Sequence, residues 1–444
     1  MTGLVRDPGA IAELAILIST GAQAPRELVE SLLARIAEVE GDVRAWCGID
    51  REDALRQADE CAREVREGKV RGPLHGIPFA VKDVIDVAGW PTRAGSRLRH
   101  CVGAALIDAE IVSAARAAGA IVLGKAHTTE FAYFEGPPPT RNPWNTERTP
   151  GGSSSGPAAS VASGMALFSF GTQTAGSVAR PAAYCGIAAF KPTTQSVSCF
   201  GVVPLAPSFD TPGYFAYRAV DAAIVARALQ PAALSLEQAW GTRSDAVGTL
   251  RIGVIADDLL SLASTSVSSS LSQAEAKLAA AGHRVSRARP ALPLEQLIAL
   301  HTTISEYEIA RALPAILGGS VHDVSEALQS AVSRGASITA SAYRNARNAL
   351  VAARHRFWNS SWDALIFPAA PGEAPVGMKT GDPRFVIPFT ALAGPIMTVP
   401  TSISPNGLPL GLMVLGRPGS DDRLLATAVE MARAIELPRQ PLSP

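Results

Sequence analysis

Three short stretches of this chain carry residue types suited to nucleophilic chemistry. The densest runs from Gly151 to Thr193, GGSSSGPAASVASGMALFSFGTQTAGSVARPAAYCGIAAFKPT, and sets serines and glycines on two loops around a run of small and apolar residues. The first loop, GGSSSG, has the composition of a flexible linker. The next residues argue otherwise. Pro157 to Gly164 is small and uncharged, and Met165 to Phe170 is apolar apart from Ser169. The pattern predicts a loop, a closely packed helix, a buried strand and a second turn at Thr174 to Ser177. In that turn Ala175, Gly176 and Ser177 are small enough for a carbonyl to approach the backbone. Successive N–H groups on such a turn form a nest for negative charge. An acyl-transfer enzyme needs such donors for the oxyanion of its tetrahedral intermediate. An ordinary strand-to-helix turn uses the same residues, so the turn alone leaves both readings open.

The third stretch holds Lys82, the lone lysine of the apolar segment Ile77 to Val87, which reads as a strand. Lysine is rarely buried without a partner, because desolvating the ammonium is costly. Either Lys82 lies on an exposed edge, or it pairs with Asp83 or Asp86, or it is buried with its charged form disfavoured. In the last state it is a general base.

In residue type, order and spacing these pieces resemble the amidase signature family of serine hydrolases. Ser177 follows Ser153 by 24 residues, the separation typical of that family. GPLHGIPFAVKDVIDVAG, GKAHTTEFA, RNPWNTERTPGGSSSG, CGIAAFKPT and GLPLGLMVLG are also similar to family segments, in family order, from Gly72 to Gly416. The resemblance implies a Ser-cisSer-Lys triad: Ser177 the nucleophile, Ser153 the bridging serine after a cis peptide, Lys82 the base. Ser154 would be a supporting hydrogen-bond donor. Backbone N–H groups of Thr174, Ala175, Gly176 and Ser177 would form the oxyanion hole. The implied reaction is hydrolysis of a small-molecule amide or carbamate through an acyl-enzyme, with no cofactor and no metal.

Two departures bear on the substrate. Gln173 stands where the family usually carries the aspartate of DTGGS, and the arginine that usually lies two residues after the nucleophile is displaced by one, to Arg180. Both features resemble the malonamidase branch, where the displaced arginine binds a substrate carboxylate. That makes Arg180 a candidate substrate-binding residue; a structural pairing is the alternative. A third departure, Ala175 for the usual glycine, adds a methyl group to the turn. Tyr133 and Phe134 occupy the place of family acyl-pocket residues and either line an apolar pocket or belong to the core. Other readings are a urethane or aryl-amide hydrolase, a glutamine amidotransferase subunit that supplies ammonia beside partner subunits, and a non-enzymatic binding protein. The neutral charge and displaced arginine argue against the second, and the intact triad against the third.

The elements that must hold these loops follow from composition and period. With 444 residues, 47% hydrophobic content and formal net charge zero, the chain reads as a soluble globular enzyme with a large core. It lacks the basic stripes expected for nucleic acid and any run of membrane-spanning length, and no basic-then-apolar leader opens it, so a cytoplasmic location is expected. Five cysteines without CxxC spacing fit a reducing compartment, and Cys185 reads as packing. Seven scattered histidines offer no HExxH, so no metal site is expected; His75 and His127 read as hydrogen-bonded structural residues.

The expected fold is α/β, a mixed β-sheet sandwiched between helices, with a single amidase domain over 1–444. Its N-terminal helical segment, at about 7–68, would pack on the core and could serve a homodimer. Helices are predicted after Asp7-Pro8, from Pro25, over Asp53 to Glu67, over Ile107 to Ala118, over Ser268 to Ala281 and after Ser420-Asp421. Strands are predicted at Ala120 to Leu123, Arg251 to Ile255, Arg284 to Ser286 and Leu410 to Leu415, with Ser261 to Ser270 as a loop. Phe200 to Phe215, His301 to Arg311 and Gly377 to Ile387 show no clear period and could shape the entrance to the site.

Overall fold

Burial along the strands alternates between two faces, and this dictates a sheet covered on both sides. Tyr214, Leu412, Val414 and Ile366 join one hydrophobic cluster, whereas their neighbours Phe215, Met413, Leu415, Leu365 and Phe367 join clusters on the opposite face. The computed structural model describes residues 3–134, 138–229, 248–319, 321–359 and 361–437. Among them are thirteen α-helices and eleven strands. The strands are β1 (Trp46–Ile49), β2 (Pro78–Lys82), β3 (Ile121–Ala126), β4 (Phe168–Gln173), β5 (Ala188–Lys191), β6 (Thr211–Ala216), β7 (Arg251–Ile255), β8 (Arg284–Ala288), β9 (Ala364–Pro368), β10 (Ile396–Ile403) and β11 (Pro409–Leu415). They form one sheet in the order β1-β3-β2-β4-β6-β5-β10-β11-β9-β7-β8. β3, β2 and β4 run parallel, as do β9, β7 and β8, while the middle of the sheet is antiparallel. The mixed sheet between helices is the expected fold class.

The parallel run of β2 and β4 matters most for chemistry. It brings Lys82, the last residue of β2, and Gln173, the last of β4, to the same edge of the sheet, where open α/β folds place their sites. Two closely packed helices, Ser155–Ala162 and Ala179–Cys185, flank this edge and are buried along their whole lengths.

Most predicted elements are present with shifted bounds. The helix Pro25–Val43 buries Leu28, Leu32, Leu33, Ile36 and Val39, and Arg51–Arg66 ends before Gly68, whose φ is +70°. The first helix, Ile11–Ser19, does not start on Asp7-Pro8. Asp7 instead accepts from the Gly9 N–H, and the buried carboxylate of Asp221 caps the Ile11 N–H from 210 residues away. The strand expected over Ile77 to Val87 stops at Lys82, because the N–H groups of Val84 and Ile85 both turn back onto the Lys82 carbonyl. The serine-rich stretch is not all loop: Ser264 caps a helix running Thr265–Ala280 and the later serines lie within it. Ser420 begins its helix without a capping bond; its hydroxyl donates to the Arg417 carbonyl. The segment His301 to Arg311 is helical, inside Leu294–Ile316.

Phe79 on β2 is fully buried and stacks on Phe168 of β4 at 4.8 Å. Phe79→Ala is expected to destabilise the protein by about 3–5 kcal/mol. Leu106→Ala, at a side chain 96% exposed, should stay within about 0.5 kcal/mol of the parent. Denaturant midpoints of the two variants check this.

Candidate active site

Lys82 is buried completely. Its Nζ lies 2.8 Å from Ser153 Oγ and 2.7 Å from Thr172 Oγ1, and among the described residues it makes no ion pair. Burial pushes its pKa well below the usual lysine value, with only the charge of Asp210 opposing. The readings of an exposed edge lysine and of an Asp83 partner are both excluded. Asp83 pairs with Lys125 of β3 at 3.3 Å, and Lys125 also donates to the Ile85 carbonyl and to the Thr92 hydroxyl. Two buried lysines thus stand on adjacent strands in opposite settings, one with a carboxylate and one with hydroxyls only.

The peptide between Gly152 and Ser153 is cis, as the resemblance implies. Gly151 has φ +82°, and a Cβ there would lie 2.8 Å from the Pro181 Cα, so the loop can press onto the helix Ala179–Cys185 only with glycine. Ser154 turns away from the cluster: its hydroxyl donates to the Thr172 carbonyl at 3.2 Å and accepts from the Thr172 N–H at 3.4 Å. It pins the loop to β4 and gives no hydrogen bond to Ser153 or Ser177. A Cβ on Gly171 would lie 2.7 Å from Ser154 Oγ, so glycine there makes room for this contact.

Ser177 is 4% exposed and its hydroxyl makes no hydrogen bond among the described residues. The link from Ser153 to Ser177 is not closed in this structure; such contacts commonly tighten when the reacting group binds. The backbone around Ser177 is accounted for group by group. The Thr174 carbonyl accepts from His301 Nε2 at 2.8 Å, that of Ala175 from Thr390 Oγ1 at 2.5 Å, and that of Gly176 from the Arg180 N–H at 3.1 Å. In a trans peptide the N–H points opposite to the carbonyl. The N–H groups of Ala175, Gly176 and Ser177, which have no partner among the described residues, therefore face away from these three anchors. Such a row of donors can hold an oxyanion. Thr174 serves chiefly as an anchor, since its hydroxyl also donates to Asp210 at 2.5 Å.

Gln173 does more than replace a carboxylate. Its Oε1 accepts from the N–H groups of Val178 and Ala179, at the start of the helix after the turn, and its Nε2 donates to Thr390 Oγ1 at 2.9 Å. Arg180 is wholly buried. Its Nε donates to the Thr380 carbonyl and its Nη2 to the Gly152 carbonyl, each at 2.7 Å. Nη1 has no partner among the described residues and lies 3.1 Å from where a Gly176 Cβ would stand. Burial lowers the guanidinium pKa to about 10, opposed by Tyr184 and Asp382, so it remains charged at neutral pH. Tyr133 and Phe134 are half-buried, with rings 5.1 Å apart, and the Phe134 carbonyl accepts from Thr380. Tyr133 packs against the edge of the main hydrophobic core, and Phe134 shares the Thr380 loop with Arg180.

Sequence reasoning passed over Thr172 and Thr390, and reached Asp210 and Thr380 only as parts of the segments Phe200 to Phe215 and Gly377 to Ile387. It named His301 and Gly377 to Ile387 only as parts of segments, and the structure brings both to the cluster. Cys185 packs with its thiol toward the Pro150 carbonyl, and His75 and His127 are hydrogen-bonded, to the Cys61 carbonyl and the Cys47 thiol. Among the described residues, one group of metal-ligand types lies close together, Cys61, Glu64 and His75, where Arg71 already engages the Glu64 carboxylate with both ends of its guanidinium. No helix among the described residues is long and apolar enough to cross a membrane.

This fold, with a buried lysine, a cis-linked serine and a donor-rich serine turn at the carboxyl ends of parallel strands, defines a class of carbon–nitrogen hydrolases. The chain belongs to the Amidase family, which it matches over residues 27–425. It is 30% identical over 479 aligned positions, 96% of this chain and 94% of the relative, to a glutamyl-tRNA(Gln) amidotransferase subunit from Cutibacterium acnes. Among solved structures it resembles one from a vestigial protein complex described as revealing the evolutionary origins of an s-triazine catabolic enzyme, at TM-score 0.88 and 27% identity, covering 97% of this chain and 100% of that one. It also resembles 6-aminohexanoate cyclic dimer hydrolase, at TM-score 0.83 and 25% identity, covering 96% and 97%.

The two lysines give opposite stability expectations. Asp83→Ala leaves the Lys125 ammonium buried without its carboxylate and should cost about 3–5 kcal/mol. Lys82→Met removes a group that folding desolvates without an ionic partner, so stability at pH 7 should equal or exceed the parent's. The folded pKa of Lys82 lies below its ordinary 10.5. Between those values the unfolded chain binds more protons, and parent stability rises with pH. The gain from Lys82→Met should therefore shrink from pH 7 to pH 9, read from denaturant midpoints at each pH.

Proposed function

We propose that this protein hydrolyses the carbon–nitrogen bond of a small amide through an acyl-enzyme on Ser177. The observation that carries the reading is the neutral-leaning Lys82 in contact with Ser153, beside a serine turn whose carbonyls are anchored and whose N–H groups are free. Ser177 Oγ attacks the acyl carbon, its proton passes to Ser153 Oγ, and the Ser153 proton passes to Lys82 Nζ. The oxyanion rests against the N–H groups of residues 175–177. Collapse breaks the carbon–nitrogen bond, and the returning proton leaves with the amine. A water, deprotonated through the same relay, then releases the acid.

Arg180 supports a substrate with an acidic or carbonyl group beyond the scissile bond. Two of its nitrogens hold backbone carbonyls, and the third is buried without a partner next to the nucleophile turn. A small carboxylated amide would satisfy that donor, as in the malonamidase-like branch. A second reading rests on the relatives: a glutamine-hydrolysing component of an amidotransferase, working with partner subunits. Gln173 and the displaced Arg180 favour the first. Urethanes and aryl amides, a homodimer and a cytoplasmic setting have no specific support in the geometry.

A phosphonofluoridate should label Ser177 in the parent and not in Ser177→Ala, as located by mass spectrometry; a label on Cys185 instead would sink the assignment. Lys82→Arg should be inactive, because arginine stays protonated. The parent's kcat/KM should rise with pH through the depressed lysine pKa and level off above it.

Across a panel of malonamate, its neutral diamide, aliphatic amides, anilides, carbamates and glutamine, malonamate should lead its neutral analogue by about ten- to a hundredfold in kcat/KM. Arg180→Ala should lose that preference. It should also slow every substrate, because the Gly152 and Thr380 carbonyls lose their donor. A parent that prefers anilides, carbamates or glutamine would refute the carboxylate role of Arg180.

A further inference from the structure

The turn that carries Ser177 is shaped from outside by two side chains that cannot themselves touch an acyl group held there. We propose that His301 and Thr390 are positioning residues that aim the Ala175 and Gly176 N–H groups at the oxyanion. The proposal rests on the hydrolase reading above.

Two peptide planes set the direction of these donors. Each has its carbonyl bonded on the side away from the nucleophile: Thr174 O to His301 Nε2 at 2.8 Å, Ala175 O to Thr390 Oγ1 at 2.5 Å. Fixing a carbonyl fixes the opposed N–H of the same plane. The hydrogen on each anchoring side chain follows from its other partners. Gln173 Oε1 accepts two backbone N–H groups, so its Nε2 must face Thr390 and donate to it; of the two carbonyls in reach of the Thr390 hydroxyl, Ala175 at 2.5 Å is far closer than Val386 at 3.4 Å and takes its hydrogen. His301 is 4% exposed and stacks on Phe209 at 4.2 Å. Burial lowers its pKa to about 4, opposed by the bond to the Thr174 carbonyl, so at neutral pH it is the uncharged tautomer with the proton on Nε2. Asp210 holds Thr174 by its hydroxyl, which prevents the residue from rotating with its carbonyl. An aspartate at position 173 could cap the helix but could not donate to Thr390. The family departure at Gln173 and the threonine at 390 therefore form one device.

The test uses the full-length protein and the rate of phosphonofluoridate labelling at Ser177, whose tetrahedral adduct places an oxygen in the same hole. Thr390→Val and His301→Phe remove the donors and keep the shapes, the second of them keeping the ring on Phe209. Thr390→Ser and His301→Gln restore an O–H or N–H. The donor-less variants should label about 10- to 100-fold more slowly, since one oxyanion donor is worth about a hundredfold or more. For an amide that the parent turns over, kcat should fall by a similar factor with KM within about threefold. The restoring variants should recover to within about fivefold, although each pair melts at similar temperatures. Parent-like labelling of Thr390→Val and His301→Phe would overturn the proposal while leaving the hydrolase reading intact. So would equal slowing of the restoring variants, which would mark a purely structural role. Absence of label at Ser177 in the parent would overturn the hydrolase reading and the proposal with it.

Discussion

The site depends on keeping the Lys82 ammonium out of water with no carboxylate to pair it. A lysine in that position has two ways to lower its free energy, acquiring a counterion or losing its proton, and the structure closes the first. The carboxylate that follows it in the chain, Asp83, is turned to Lys125. Asp210, the carboxylate whose charge Lys82 feels, spends its oxygens on the Thr174 hydroxyl and on the N–H groups of Leu205 and Ala206. What remains around Nζ are two hydroxyls, neutral partners that stabilise an ammonium far less than a carboxylate would. Burial lowers the pKa of Lys125 as well, but there the charge and hydrogen bond of Asp83 oppose it, so the two lysines one strand apart differ in their partners.

The same separation of roles runs through the serine loops. Of the three serines in GGSSSG, Ser153 faces the lysine, Ser154 is bonded to β4, and Ser155 donates to the Gly151 carbonyl at the start of its helix. The two later serines fix the backbone and leave the Ser153 hydroxyl facing Lys82, as the proposed relay requires. Arg180 joins the two loops: its guanidinium reaches the carbonyl of Gly152 on one side and the Thr380 loop on the other, from a helix that begins two residues after Ser177. Whatever binds Nη1 thereby touches a group that also positions the cis-linked serine. One rigid plane of five donors therefore links the Gly152–Ser153 loop, the Thr380 loop and the unpartnered Nη1.

How far the chain could be read in advance depends on where its contacts lie. Small residues around Ser153 and Ser177, a lysine in an apolar strand and the helical spacing at Leu28, Leu32 and Ile36 are local signals, and each marked a real element. Boundaries slipped where a distant group decided them, as when Asp221 caps Ile11, or where the backbone folded on itself, as at Lys82. The supporting shell was not legible. Thr172 looked like any residue of a buried strand. His301 and Thr390 meet the serine turn from 127 and 215 residues away, and no period or motif announces a single threonine that accepts from one side chain and donates to a backbone carbonyl.

These distant contacts also explain how the turn tolerates Ala175 in place of glycine. A glycine would leave the backbone free to choose among conformations, and the choice would have to be enforced. Here the turn is held at the Thr174 hydroxyl, at three successive carbonyls and at the two N–H groups bonded to Gln173. With the backbone specified at that many points, the freedom of glycine is not needed. The methyl group of Ala175, 5% exposed, narrows the conformational range instead of straining it. The chemistry proposed for Ser177 requires donors that do not reorganise as charge develops. A turn anchored on every side but one meets that requirement by its hydrogen-bond accounting alone.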